Sequence, residues 1–128
     1  KALVIGRSRL VGMPQVIMFG SKGIDCTVTL AHSRTKNLDD LISESEIVVP
    51  AIGVPGIINS KNVKKGAILL DVGISSDDKG IHGDVDFDSV DGIAKAVTPM
   101  PGGTGPMTVA CLLENTMKAA ELQGIISS

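Results

Sequence analysis

The sequence predicts an α/β fold, a Rossmann-like doubly wound parallel sheet in a single domain, on three observations. Short apolar runs that stop at glycine or proline recur along the chain, as Ala2-Leu3-Val4-Ile5 stops at Gly6. Such runs are buried parallel strands whose carboxyl ends feed loops. Segments of helical periodicity separate them, and strand alternating with helix at this pitch is the pattern of a doubly wound sheet. The length of 128 residues is that of one domain, enough to bury about two-thirds of its unfolded surface.

The first strand is residues 2–5. Pro14, whose missing N–H costs nothing in a first helical turn, opens a helix running to Ser21. Its four consecutive apolar residues, Val16 to Phe19, predict burial on most sides. Cys26-Thr27-Val28-Thr29-Leu30, rich in β-branched residues, is the second strand and ends at His32-Ser33-Arg34-Thr35. Asn37 is expected to cap a short helix through Ser43, with Leu38, Leu41 and Ile42 on one face. Ile47-Val48-Val49 is the third strand, and residues 67–72, after a Lys-Lys-Gly turn, are the fourth. The polar stretch from Gly73 to Asp84 reads as a hairpin or excursion, and residues 94–97 as a short late strand. Pro106 opens the last helix, where Val109, Leu112, Leu113, Met117 and Ala120 recur at helical spacing, and Gly124 stops it. A chain that begins almost inside its first strand, without Met, reads as a fragment whose preceding domain is missing.

Composition removes several function classes. Lys and Arg number 12 against 14 Asp and Glu, a formal charge of -2, so nothing favours a nucleic-acid backbone. Trp and Tyr are absent and Phe19 and Phe87 are the only aromatic residues of the Phe, Trp and Tyr set, which leaves no platform for stacking bases. No apolar run reaches the roughly 20 residues of a membrane span. Cys26 and Cys111 have no metal-like spacing and read as reduced core thiols, which favours a cytoplasmic protein.

The residues that could carry chemistry lie at the expected carboxyl ends of the strands. Gly6-Arg7-Ser8-Arg9-Leu10-Val11-Gly12 joins the first strand to its helix. Gly6 allows a sharp turn, and Gly12 at the helix entry would let backbone N–H groups and the helix dipole meet a pyrophosphate. The spacing is one residue longer than the usual dinucleotide fingerprint, and a plain turn would also use these glycines. At the end of the second strand, where NAD-selective domains place a carboxylate for the ribose 2′-hydroxyl, stand Ser33, Arg34, Thr35 and Lys36. These donors and cations suit the 2′-phosphate of NADP, and a solvated basic turn is the other reading. Gly53 after the third strand and Asp71-Val72-Gly73-Ile74 after the fourth would let a dinucleotide lie across the sheet, or would serve turns. Pro99 to Thr108 holds three glycines and three prolines in eight positions, either a wall closely approached by substrate or a strained corner. Asp84, Asp86 and Asp88, with His82 nearby, read as solvated surface rather than a metal site.

The ordered set Gly6-Arg7-Ser8 with Val11-Gly12 and Pro14, His32-Ser33-Arg34-Thr35, Asp71-Val72-Gly73-Ile74, Gly83-Asp84-Val85 and Pro101-Gly102-Gly103-Thr104-Gly105-Pro106-Met107-Thr108 closely resembles the methylenetetrahydrofolate dehydrogenase/cyclohydrolase family. The resemblance runs from Lys1 to about Glu121, and the proline-glycine loop is its most specific part. It implies the carboxy-terminal, NADP-binding domain of an enzyme that oxidises methylenetetrahydrofolate to methenyltetrahydrofolate and hydrolyses that to formyltetrahydrofolate. On the same resemblance Gly6, Arg7 and Ser8 hold the pyrophosphate region, Ser33 the 2′-phosphate and Ile74 the nicotinamide end. Pro101, Gly102 and Gly105 then line the folate side. It also implies a homodimer, with residues 75–83 as an arm toward the second subunit.

Two departures qualify these expectations. The family's acid-base motif, Tyr-x-x-x-Lys, belongs to its amino-terminal domain, and this sequence has no Tyr. The chain alone is therefore expected to be inactive, with no catalytic residue of its own. Thr104 stands where the family usually has Val, a change of similar size expected to be tolerated. In that family the last helix crosses back toward the amino-terminal half, so its apolar stripe is expected to lack a partner in this chain. A stand-alone, non-catalytic dinucleotide-binding or dimerisation module is the rival reading.

Overall fold

The computed structural model describes residues 1–78 and 80–126. In chain order the elements are β1 (Ala2–Ile5), α1 (Gly12–Gly20), β2 (Val28–Ala31), α2 (Leu38–Glu44), β3 (Ile47–Pro50), β4 (Ile68–Leu69), β5 (Ser75–Asp77), β6 (Gly80–His82), α3 (Phe87–Val90), β7 (Ala96–Val97) and α4 (Thr104–Leu122). Five strands form one parallel sheet in the order β2-β1-β3-β4-β7, and β5 and β6 pair as a separate antiparallel hairpin. The second strand lies on one side of β1 and the third on the other. The direction of winding therefore reverses between β1 and β3, and a crevice at the carboxyl ends forms at such a point.

Burial follows from that order. In β1, flanked on both sides, all four residues are buried, whereas β2 at the edge buries only Ala31. Leu3, opposite Thr29 on one neighbour and Val48 on the other, shares a face with Ile5, Val48 and Leu69. That face packs with Ile42 of α2, Ile58 and Val90 of α3 into one core. The period of two along each strand places Val4 and Val49 on the opposite face, where they are also buried.

Several expectations need correction. The ladder of β2 starts at Val28 rather than Cys26, and β4 pairs over two residues, although Leu70 and Val72 still donate to carbonyls of Val48 and Pro50. Asn37 precedes α2 with φ 56 and makes no side-chain cap. Its left-handed backbone turns the chain instead, and Asp39 and Asp40 supply the negative charge that suits a helix start. The first helix is not buried on most sides: only Gly12 is, while Ile17 and Met18 are 65% and 61% exposed. The cysteines are free but not core residues, Cys26 being half-buried and Cys111 exposed.

The last helix begins at Thr104, with Pro106 third, and ends in a Schellman motif. Gly124 at φ +70 donates to the Glu121 carbonyl and Ile125 to that of Ala120. No residue of its nineteen is buried. Met107, Val109, Leu112, Leu113 and Met117 are all more than half exposed, so the stripe has no partner among the described residues. No helix among those residues is long and apolar enough to cross a membrane.

Candidate cofactor-binding site

The turn after β1 sits at the reversal of the sheet and its shape requires two glycines. Gly6 leaves the strand at φ +119, and a Cβ there would stand 2.7 Å from the Ala51 carbonyl oxygen of the loop after β3. A Cβ on Gly12 would stand 1.9 Å from the Gly6 carbonyl oxygen, a backbone contact that no rotamer relieves. The loop thus folds onto itself at the crevice. Ser8 holds it closed: its Oγ accepts the N–H groups of Val11 at 3.0 Å and Gly12 at 3.4 Å, and its carbonyl accepts that of Met13. The first donors of α1, expected to face a pyrophosphate, are therefore occupied by Ser8. The exposed residues Arg7, Ser8, Arg9 and Leu10 offer the backbone N–H groups of the turn itself, with two guanidinium groups beside them.

At the end of β2 a tight turn is built around His32. Its Nδ1 accepts the Arg34 N–H at 3.2 Å, its carbonyl the Thr35 N–H, and its own N–H donates to Thr35 Oγ1 at 2.9 Å. His32 and the Thr35 hydroxyl are thereby tied into the turn, and Ser33 and Arg34 project from it, both exposed. No ion pair among the described residues engages Arg34.

The loops after β3 and β4 meet. Gly53, at φ +70, would place a Cβ 3.2 Å from the carbonyl oxygen of Ile74, whose side chain is exposed. Behind them lies a pair of buried aspartates. Asp71 accepts the N–H groups of Asp84 at 3.0 Å and Val85 at 2.9 Å. Asp84 Oδ2 in turn accepts those of Ile52 at 2.8 Å and Gly53 at 3.1 Å. The expectation that Asp84 is solvated surface is wrong, since it is fully buried. Two backbone donors from the loop after β3 make that burial possible for Asp84, and two from the hairpin return do the same for Asp71. Asp86, by contrast, is exposed and caps α3. Burial pushes the Asp71 carboxyl above its ordinary value, helped by the charge of Asp84 and opposed by the N–H bonds it accepts. Asp84 Oδ1 is buried with no partner among the described residues, a position that costs about 1–3 kcal/mol. The signal that could have found the pair is the glycine beside each acid. A Cβ on Gly73 would overlap the Asp84 carboxylate, and one on Gly83 that of Asp71.

Asp71 also reaches the proline-glycine loop. Its N–H donates to Thr98 Oγ1 at 2.8 Å and its carbonyl accepts from Thr104 Oγ1 at 2.9 Å. Pro101, Gly102 and Gly105 are exposed. Gly103 is demanded by packing, as its Cβ would stand 2.3 Å from the Pro99 carbonyl, whereas a Cβ on Gly105 would meet nothing. Packing among the described residues gives no reason for glycine at 105. A cavity of about 330 Å³ beside the hairpin, lined by Val85, Phe87, Thr98 and Met100, contains none of the predicted cofactor residues.

The chain is similar to known proteins over nearly its whole length. The family described as "Tetrahydrofolate dehydrogenase/cyclohydrolase, NAD(P)-binding domain" matches residues 1–124. The Bifunctional protein FolD of Lactococcus lactis subsp. cremoris (strain MG1363) is 51% identical over 123 residues, covering 94% of this chain and 42% of the relative. A 5,10-methylenetetrahydrofolate dehydrogenase from the silkworm Bombyx mori superposes with a TM-score of 0.91 at 43% identity, over 98% of this chain and 46% of that one. The Trypanosoma brucei N5,N10-methylenetetrahydrofolate dehydrogenase-cyclohydrolase (FolD), complexed with NADP cofactor and inhibitor, superposes with a TM-score of 0.82 at 38% identity, over 91% of this chain and 41% of that one. The chain spans less than half the length of these relatives.

Proposed function

Because the chain belongs to the tetrahydrofolate dehydrogenase/cyclohydrolase family as its NAD(P)-binding domain, we propose that it binds NADP in preference to NAD and forms the cofactor half of a bifunctional folate enzyme. The observation that carries this reading is the turn at the end of β2, where Ser33 and Arg34 are exposed, no ion pair among the described residues engages Arg34, and no carboxylate stands. A guanidinium there offers paired donors to a 2′-phosphate. The turn from Gly6 to Gly12, folded this tightly because both residues lack a Cβ, fits the pyrophosphate of the same dinucleotide, with Arg7 and Ser8 over it. Gly53 and Ile74 would border the nicotinamide half, Thr35 would brace the 2′ turn, and Pro101, Gly102 and Gly105 would face folate.

The bound dinucleotide supplies the hydride acceptor for oxidation of methylenetetrahydrofolate to methenyltetrahydrofolate. This chain binds and orients, and its glycine walls bring ligand and backbone close. Proton transfer, and the addition of water that gives formyltetrahydrofolate, need a partner group such as the Tyr and Lys of the family's amino-terminal domain, as no Tyr is present in this sequence. The uncovered stripe of α4 supports a missing partner of that kind, and the chain alone should bind without turnover. A homodimer joined through the β5–β6 arm and a cytoplasmic setting complete the proposal; residue 79 of the arm lies outside the described residues.

Isothermal titration of Ser33→Ala and Arg34→Ala tests the cofactor assignment. Each should weaken NADP about tenfold, the loss of one charge-assisted contact, and leave NAD unchanged. Equal weakening of both ligands would show that these side chains do not read the 2′-phosphate.

A further inference from the structure

We propose that Asp84 is a positioning residue for the nicotinamide half of the dinucleotide, acting through the backbone of residues 52–53 and 73–74 and not by contact. The proposal rests on the dinucleotide reading above. If phosphate and 2′ contacts occupy the ends of β1 and β2, the order β2-β1-β3-β4 leaves the ends of β3 and β4 for the second half of the ligand, across the reversal. At those ends one buried side chain sets the spacing. Asp84 Oδ2 takes two N–H groups of the loop after β3, from Ile52 and Gly53. Its carboxylate lies in the space a Cβ on Gly73 would fill, and Gly53 sits against the Ile74 carbonyl. Asp84 is itself held by Asp71, which accepts its N–H. The hydrogen bonds of this clamp engage neither the β2 turn nor the Gly6–Gly12 loop, although Gly6 lies against Ala51 and Ile52, so its effect should fall chiefly on the nicotinamide half.

The test uses the full chain and two ligands, NADP and adenosine 2′,5′-bisphosphate, which holds only the adenosine half. Asp84→Ala frees both N–H groups and should weaken NADP about tenfold while leaving the bisphosphate unchanged. Asp84→Asn keeps one oxygen for both donors and should restore most of the NADP affinity. Gly73→Ala, which pushes the carboxylate aside without altering it, should reproduce the selective loss and serves if Asp84→Ala does not fold. Loss of both ligands alike, loss of neither, equal affinity of the parent for the two, or failure of both variants to fold overturns the clamp. A parent that binds neither ligand overturns the dinucleotide reading itself.

Discussion

Replacing Leu113 by Glu should leave the stability of this chain almost unchanged, although leucine on an apolar stripe is ordinarily a core residue. Leu113 is 64% exposed and α4 buries nothing, so the substitution removes little burial. Leu and Glu have similar helix propensities, so the helix itself is not weakened, and exposed sites usually change stability by less than about 0.5 kcal/mol. Leu69, at 0% exposure in the centre of the sheet, is the control, and Leu69→Ala should cost about 2–5 kcal/mol. Urea unfolding of the parent and the two variants at one low concentration reads both numbers, with the slope expected to stay constant. Were Leu113→Glu to cost more than about 1.5 kcal/mol, the lower end of burying such a side chain, the stripe would be covered within this chain. The missing partner would then lose its main support, and the self-sufficient module would become the better reading.

Further outcomes follow from the turn and the aspartate pair. Gly12→Ala should destabilise by about 1–3 kcal/mol, as overpacking does, because the new Cβ meets the Gly6 carbonyl; an unchanged thermal midpoint would contradict the closed turn. Asp71 has its pKa raised above 3.8 by burial, so the folded state holds that proton more tightly and the resulting stability is present below 3.8 and lost as pH rises through the raised value. Relative to Asp71→Asn, which does not titrate, the parent should therefore lose stability over that window, and urea midpoints showing the parent gaining there would refute the assignment.

Much of the fold was legible because the central strands announce themselves: residues 2–5 and 47–49 are apolar runs with no competing helical period. The boundaries that shifted are those where pairing, not composition, decides. Cys26 and Thr27 look like strand, yet the partner strand begins only at Ala2, opposite Val28. The helix opened by Pro14 reads as buried because its composition is apolar, but amphipathic or apolar character does not state what covers a face, and among the described residues Ile17, Met18 and the stripe of α4 are uncovered. Glycines at 6 and 12 and the basic turn at 33 and 34 were visible as local motifs. Asp84 was not, because its burial depends on N–H groups of residues 52 and 53, contributed by a separate strand and loop.

The central claim is that this domain reads a 2′-phosphate. Titration of NADP and NAD into one preparation of the parent chain measures it directly. NADP should bind at least about tenfold tighter, the worth of one or two charge-assisted contacts, with the preference shrinking as salt is raised because Arg34 is exposed. Equal affinities, or a preference for NAD, would contradict it.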